Sequence, residues 1–366
     1  MRSEYFETLF NQRDYIRMTD LMRDSYRVAV IGAGSWGTAL AISLANAGNE
    51  VRLWARREEA ALSMSETRHN PRYLPDAVIP ASISITHDLA EAVKGTSVWV
   101  IAIPSQSVRG VAKKLLPFVE PETLVVSVAK GIENGTLMTT SCVLHDVLDS
   151  LPKSNLAVLY GPSHAEEVAQ GTPTTVVVAS YGEETANQIQ CVFMSKTLRV
   201  YVNPDIRGVE IAGSVKNVLA IAAGISDGVG YGDNAKAAIL TRGLAEIKRL
   251  GVAMGARPST FSGLAGIGDM VVTCMSTLSR NRNLGFAIGQ GKTLKQIQSE
   301  MTMIAEGVRT TASVVELARK YNVEMPITEG VHGILFEGVP PLDAVQQLMM
   351  RSAKLEDSIP DTANCE

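Results

Sequence analysis

Val28-Ala29-Val30-Ile31-Gly32-Ala33-Gly34-Ser35-Trp36-Gly37 is the stretch that decides the fold of this chain. Its first four residues are apolar and mostly β-branched, as a short buried strand requires. G-x-G-x-x-G follows at once, and residues 35–47 then form a helical pattern of small side chains closed by Gly48. Strand, glycine turn and helix in direct succession are the dinucleotide-binding fingerprint. Gly32 serves the tight turn, Gly34 the close approach of a pyrophosphate, and Gly37 the packing of helix on strand. The helix start, with Ser35 and Trp36 in its first turn, turns free N–H groups and a positive dipole end toward the phosphates. The bland alternative is a glycine turn used for packing alone.

Outward from this unit, apolar runs recur at 51–54, 98–101, 124–127, 156–160, 174–179 and 198–202, separated by helical patterns. Such alternation predicts right-handed βαβ units and a mostly parallel sheet, its apolar runs nearly continuous because both faces are covered. The character changes after Asn203-Pro204. Pro204 suits a helix start, a long helix follows to about Ile225, and from there to about Met350 only helices and loops are expected. The predicted organisation is an extension over 1–26, an α/β Rossmann-type domain over 27–203, an all-α domain over 204–350 and a loose tail over 351–366. A site in the cleft between the two domains is the default expectation.

The 366 residues carry a formal net charge of −4, so no global basic field points to nucleic acid or to an anionic membrane surface. No uninterrupted run of about 18 apolar residues appears, and no membrane-spanning helix is expected. The four cysteines form no CxxC pair and stand at no metal-ligand spacing from the histidines. Free thiols and a reducing compartment are the plain reading.

Chemistry concentrates in five places. After the second strand comes Trp54-Ala55-Arg56-Arg57, with no acid before Glu58. A carboxylate there would bind the ribose of NAD, whereas an arginine suits a 2′-phosphate or stacks on adenine. NADP therefore stands beside NAD, and solvated helix-start charge is the alternative for both arginines. Ser127-Val128-Ala129-Lys130-Gly131-Ile132 sets a lysine just past the C-terminal end of a strand, where α/β sheets bind ligands. Lys216 and Asn217 lie inside the apolar helix 211–220, one turn after Gly213. Lysine is rarely buried without a partner, so Lys216 is a candidate for proton transfer, against snorkelling to the surface. Leu278-Ser279-Arg280-Asn281-Arg282-Asn283, read as preceding a helix at 284–288, could grip a phosphate with side chains and helix N–H groups. Asp269, at the end of Gly263-Leu264-Ala265-Gly266-Ile267-Gly268, is open to two roles from its position alone: orienting a lysine or capping the helix that starts there.

Taken in order, GAGSWG, SVAKGIE, GPSHAEEVA, GSVKNVLAIAAG, LAGIGDMVVTC, SRNRN and AEG resemble the bacterial-type NAD(P)-dependent glycerol-3-phosphate dehydrogenases over residues 27 to 350. That resemblance implies a 6-phosphogluconate-dehydrogenase-like pairing of Rossmann and helical domains. It implies Lys216 as the acid/base, Lys130 at substrate and cofactor, Asp269 orienting the lysine, and Thr273 nearby. It also implies Arg280 and Asn281 on the phosphate with Ser279 beside them, Asn217 at the substrate, and Gly161 and Ser163 in a substrate loop. On the cofactor side it implies Gly32, Gly34, Ser35, Trp36, Gly37, Arg56, Lys130, Ala165, Arg280 and Glu306. Dihydroxyacetone phosphate and glycerol 3-phosphate are then the substrates, no metal is needed, and a cytoplasmic homodimer feeding glycerophospholipid synthesis is expected. His164 departs from the frequent phenylalanine of GPSF, and the family supplies no role for the N-terminal extension. The alternatives are a 6-phosphogluconate or 3-hydroxyacid type dehydrogenase, against which SRNRN and the GPS loop argue, and a cofactor sensor without turnover, against which both lysines argue.

Overall fold

In the first strand, Val28 and Val30 face one side and Ala29 and Ile31 the other, and all four are fully buried. A strand covered on both faces needs helices on both, and the computed structural model, which describes residues 25–300, 305–353 and 356, has them. The strands are β1 (Arg27–Ile31), β2 (Glu50–Trp54), β3 (His69–Asn70), β4 (Leu74–Val78), β5 (Ser84–Thr86), β6 (Val98–Ile101), β7 (Leu124–Ser127), β8 (Leu156–Tyr160), β9 (Thr174–Ser180) and β10 (Leu198–Asn203). Eight of them form one sheet in the order β10-β9-β8-β7-β6-β1-β2-β5, and β3 and β4 pair separately. All neighbours in the large sheet run parallel except β8 and β9. The chain leaves β1 toward β2 and returns on the other side at β6. The switch point between β1 and β6 is where doubly wound sheets open a crevice at their C-terminal edge.

One face of the sheet packs Val28, Val30, Val100 and Val126 against helices that include Ser35–Asn46 and Glu183–Phe193. The other packs Ala29, Trp99, Ile101 and Val125 with helices Val108–Leu115 and Thr140–Val147. The chain divides into two compact units, the first ending at Glu210 and the second running from Ile211 onward, with Asn134–Leu137 belonging to the second. The predicted extension 1–26 lies outside the described residues save for Ser25 and Tyr26, as does most of the predicted tail, with Cys365.

Among the described residues no strand follows Asn203. The long helix spans Ile206–Val229, starting later and ending later than its pattern predicted. Pro204 stays outside it because Asp205 is the cap, its carboxylate accepting from the Gly208 N–H at 2.9 Å. By length and composition this helix could cross a membrane, yet its most apolar window is 100% buried within the structure. It is a core helix whose Glu210, Lys216 and Asp227 interrupt the apolar sequence. In the second unit it crosses helix Arg280–Gly289 backbone to backbone. A Cβ on Gly224 would run into the Arg282 carbonyl, and one on Gly285 into the Ile221 carbonyl, so both crossings require glycine. Glu246, on helix Asp233–Ala253, accepts from the backbone N–H groups of Ile327 (2.7 Å) and Thr328 (3.2 Å). It thereby satisfies the start of helix Pro326–Phe336 from a distant part of the chain.

Candidate active site

The glycine turn after β1 divides its labour as the fingerprint requires. Gly32 has φ +125°, and a Cβ there would strike the Ala102 carbonyl and lie 2.8 Å from Ile103 Cγ2. A Cβ on Gly37 would strike the Gly32 carbonyl. Gly34 differs, because a Cβ there would meet nothing within 4 Å. Gly34 also caps helix Ser35–Asn46, whose first turn carries no acid and no side-chain cap. Open space beside Gly34 and a positive helix end without an acid in its first turn fit a pyrophosphate. Ser35 is buried and Trp36 half-buried in that first turn, and Arg56 and Arg57 are both exposed after β2. Glu58 lies one residue further on, exposed, in the first turn of helix Glu58–Thr67.

Two loops meet at the C-terminal ends of the neighbouring strands β7 and β8. The Lys130 Nζ donates to the Gly161 carbonyl at 3.2 Å and stands 5.6 Å from the centre of the Tyr160 ring. Gly161 has φ +145°, and a Cβ there would be 2.9 Å from Val176 Cα. Ser163 Oγ donates to the same Gly161 carbonyl at 3.1 Å. Ala165 follows as the first residue of helix Ala165–Ala169. The structure thus brings Lys130, Gly161 and Ser163 together within the first unit.

Two supports of this loop were not anticipated from the sequence. Glu210 is 1% exposed and accepts from Thr139 Oγ1 (2.8 Å), Thr140 Oγ1 (3.0 Å), Ser141 N (2.8 Å) and Ser141 Oγ (2.6 Å). Burial pushes its carboxyl above the usual carboxylate range, and the four donors pull it back. Ser127, at the end of β7, in turn donates to Thr140 Oγ1 at 3.0 Å. Arg109 forks onto Glu133 at 2.9–3.1 Å and onto Asp146 at 2.5 Å, which pins the chain just after Lys130 and raises the guanidinium above its ordinary value. An acid inside the apolar run Val209-Glu210-Ile211 carried the same signal as Lys216. Its donors sit some 70 residues away in sequence and show no motif.

The second unit holds a buried triad. The Lys216 Nζ donates to Asp269 Oδ1 at 2.6 Å and to Thr273 Oγ1 at 2.5 Å, and Thr273 Oγ1 donates to the Asp269 carbonyl at 2.6 Å. Lys216, Asp269 and Thr273 are 4%, 1% and 6% exposed. Asp269 opens helix Asp269–Met275 directly after a π-helical turn, Leu264–Gly268, and Gly268 is the cap residue. Of the two roles open to Asp269, the carboxylate therefore takes the lysine. Cys274, next to Thr273, is fully buried, and burial pushes its thiol up to about 12, so it stays protonated at neutral pH.

Helix Arg280–Gly289 starts at Arg280, four residues earlier than its pattern suggested, because Ser279 is its cap and accepts from Arg282 N at 3.3 Å. Arg280 is exposed in the first turn, and Asn281 is buried. Asn281 Oδ1 accepts from Gly307 N at 2.9 Å, and a Cβ on Gly307 would lie 2.7 Å from the Asn217 carbonyl. The starts of helices Arg280–Gly289 and Glu306–Lys320, with Glu306 at the head of the latter, therefore meet beside Asn217. The other two polar residues of SRNRN are used internally. Arg282 pairs with Asp227 at 2.6 Å, an aspartate shared with Lys236 at 2.7 Å, and Asn283 donates to the Thr277 carbonyl at 2.7 Å. No group of three or more metal-ligating side chains occurs among the described residues.

Comparison with known proteins gives the following. Residues 27–186 match the family described as NAD-dependent glycerol-3-phosphate dehydrogenase N-terminus, and residues 205–346 match the corresponding C-terminus. A Salinibacter ruber protein named glycerol-3-phosphate dehydrogenase NAD(P)+ 2 is 60% identical over 336 residues, covering 92% of this chain and 98% of that protein. A Chlorobium phaeobacteroides protein named glycerol-3-phosphate dehydrogenase NAD(P)+ is 53% identical over 330 residues, covering 90% of this chain and 99% of that protein. The crystal structure of glycerol-3-phosphate dehydrogenase from Coxiella burnetii superposes with a TM-score of 0.85 at 40% identity, covering 89% of this chain and 99% of that one. A ketopantoate reductase family structure from Ralstonia eutropha, at 18% identity and TM-score 0.53, shares the fold alone.

Proposed function

This chain belongs to the NAD(P)-dependent glycerol-3-phosphate dehydrogenase family, and on that premise we propose that Lys216 is its proton donor and acceptor. It is an oxidoreductase that interconverts dihydroxyacetone phosphate and sn-glycerol 3-phosphate with NAD(P), supplying glycerophospholipid synthesis. The observation that carries the assignment of Lys216 is its buried contact with Asp269 and Thr273. An ammonium held in one place by a carboxylate and a hydroxyl is set to deliver a proton along a fixed line.

Gly32, Gly34, Ser35, Trp36, Gly37 and Arg56 would hold the dinucleotide, with Lys130, Ala165, Arg280 and Glu306 at its nicotinamide half. When bound, the cofactor supplies the hydride. The chain's own residues do the rest in this reading. Arg280, Asn281 and Ser279 hold the substrate phosphate through charge-assisted and backbone hydrogen bonds. Gly161, Ser163, Asn217 and Thr273 shape the space around the carbonyl. Lys130 offsets the negative charge that develops on the carbonyl oxygen, and Lys216 gives that oxygen a proton. In the oxidation direction Lys216 takes the proton back. Asp269 orients Lys216 throughout.

A cytoplasmic homodimer belongs to the same proposal. Cys142, Cys191 and Cys274 are free thiols, as a reducing compartment would leave them. Ile267, Val271 and Met275 form an exposed apolar stripe, 41–51% accessible, that a second copy would cover. The domain limits are proposed as 27–203 for the NAD(P)-binding domain and 204–350 for the helical substrate domain, supported by the change from sheet to helices after Asn203.

The test is Lys216→Ala, expected to lower kcat by about 10²-fold or more while NADH still binds. A folded variant with near-native kcat removes Lys216 from the chemistry.

A further inference from the structure

Between helix Glu58–Thr67 and β5 the chain makes the small hairpin β3–β4, a separate two-stranded sheet whose Leu74 and Ala77 join the core on the Val28 and Val30 face of the large sheet. Asn70, in β3, is 3% exposed. Its side-chain amide Nδ2 donates to the Ala33 carbonyl at 3.0 Å and to Thr38 Oγ1 at 2.9 Å. Ala33 lies between the first two glycines of the fingerprint, and Thr38 makes the first backbone bond of the following helix, to the Gly34 carbonyl at 2.9 Å. One amide therefore grips the glycine turn on both sides of Gly34.

We propose that Asn70 is a positioning residue for cofactor binding, which sets the Ala33–Gly34 peptide so that its N–H faces the dinucleotide phosphates. The reason lies in the peptide itself. A trans peptide is planar, with its C=O and N–H directed to opposite sides. Holding the Ala33 oxygen against a buried amide turns the Gly34 N–H away from that amide. Gly34 is the one glycine of the fingerprint whose missing side chain leaves open space. Glycine can rotate such a peptide at little cost, so an unclamped Gly34 would sample orientations in which the N–H is lost to the ligand. Asn70 removes that freedom before the cofactor arrives, and preorganisation of this kind is expressed as affinity. The hairpin is itself tied down. Arg68, the left-handed residue that ends the preceding helix, donates to the Ile83 carbonyl at 2.8 Å, and Ile79 N donates to the Arg68 carbonyl at 2.8 Å.

The inference rests on the dinucleotide reading of the glycine turn, and the experiment separates the two. NADH and NADPH dissociation constants are measured by fluorescence titration for the native chain, Asn70→Ala and Thr38→Val. Tm is recorded for each, with the KM for dihydroxyacetone phosphate at saturating cofactor. Asn70→Ala is expected to raise both cofactor constants about tenfold or more while that KM stays within about twofold. Thr38→Val removes one acceptor but leaves the Ala33 bond, so it is expected to lower Tm without a comparable loss of cofactor affinity. Asn70→Ser, a smaller change, is read by the same constants should Asn70→Ala not fold. Unchanged cofactor affinity in the Asn70 variants, or an equal loss in Thr38→Val, overturns the inference alone. A native chain that binds neither cofactor overturns the dehydrogenase reading and this inference with it.

Discussion

Replacing Lys216 and Asp269 separately and together separates what the pair contributes to stability from what it contributes to chemistry. The two groups are 2.6 Å apart with side chains 6% and 2% accessible, so neither charge can turn to water when its partner is removed. Lys216→Met strands a buried carboxylate, and Asp269→Leu strands a buried ammonium. Each single change is expected to cost about 3–5 kcal/mol, the usual penalty for an uncompensated buried charge. At about 2–4 °C per kcal/mol, Tm should fall by roughly 6–20 °C. The double variant has no stranded charge, and Thr273 keeps a partner in the Asp269 backbone carbonyl, to which it donates at 2.6 Å. Its stability should return to within about 1–2 kcal/mol of native, because apolar replacement of a buried pair is often neutral. Turnover should be absent from all three. Urea unfolding gives the stabilities and NADH oxidation the turnover. Single changes costing less than about 1 kcal/mol, or a double change equal to the sum of the singles, would refute the view that these charges are buried against each other.

Three further outcomes follow from the same structure. Arg280→Ala should raise the KM for dihydroxyacetone phosphate by an amount equivalent to about 1.5–3 kcal/mol and leave slow turnover of unphosphorylated dihydroxyacetone nearly unchanged; equal damage to both substrates would remove Arg280 from the phosphate. Glu246 has its carboxyl raised by burial from 4.5 to about 7, so the folded chain keeps a proton that the unfolded chain has lost between those values. Stability should therefore fall as pH rises from about 4.5 to 7, by at most about 1.4 kcal/mol per pH unit, and level off above. Glu210 acts in the same direction, so the contribution of Glu246 is read as the part of the slope missing in Glu246→Gln; identical slopes contradict it. Arg56→Ala should weaken NADPH more than NADH, and added salt should shrink that difference because Arg56 is exposed; equal weakening of both would show that Arg56 does not discriminate the 2′-phosphate.

The α/β unit was legible because strands buried on both faces must be almost wholly apolar, and 28–31, 98–101 and 124–126 are. Direction was not, since Thr174–Ser180 reads the same whether it runs with β8 or against it, and the structure has it antiparallel. β5 escaped notice because it has three residues and one partner, and β4 because Pro75 and Asp76 break its apolar pattern. Lys216 could be found because a lysine in an apolar helix needs a partner. Asp269 could not be assigned from position, because an acid at a helix start is also an ordinary cap. Arg282 was misleading for a related reason: it stands beside Arg280 in sequence, but its partner Asp227 lies on another helix. Asn70 carried no signal at all, because an asparagine after a helix reads as a turn residue and its partners depend on tertiary contact.

The central claim is that this chain reduces a phosphorylated ketone and that Lys216 protonates it. Its most direct test is a single assay on the purified chain, following NADH and NADPH absorbance with dihydroxyacetone phosphate, with a 2-keto acid and with a 3-keto acid, for native protein and Lys216→Ala side by side. The account predicts rapid cofactor oxidation by the native chain with dihydroxyacetone phosphate, formation of sn-glycerol 3-phosphate, little oxidation with either keto acid, and a loss of about 10²-fold or more in the variant. Preference for a keto acid, or native-like turnover without Lys216, would contradict it.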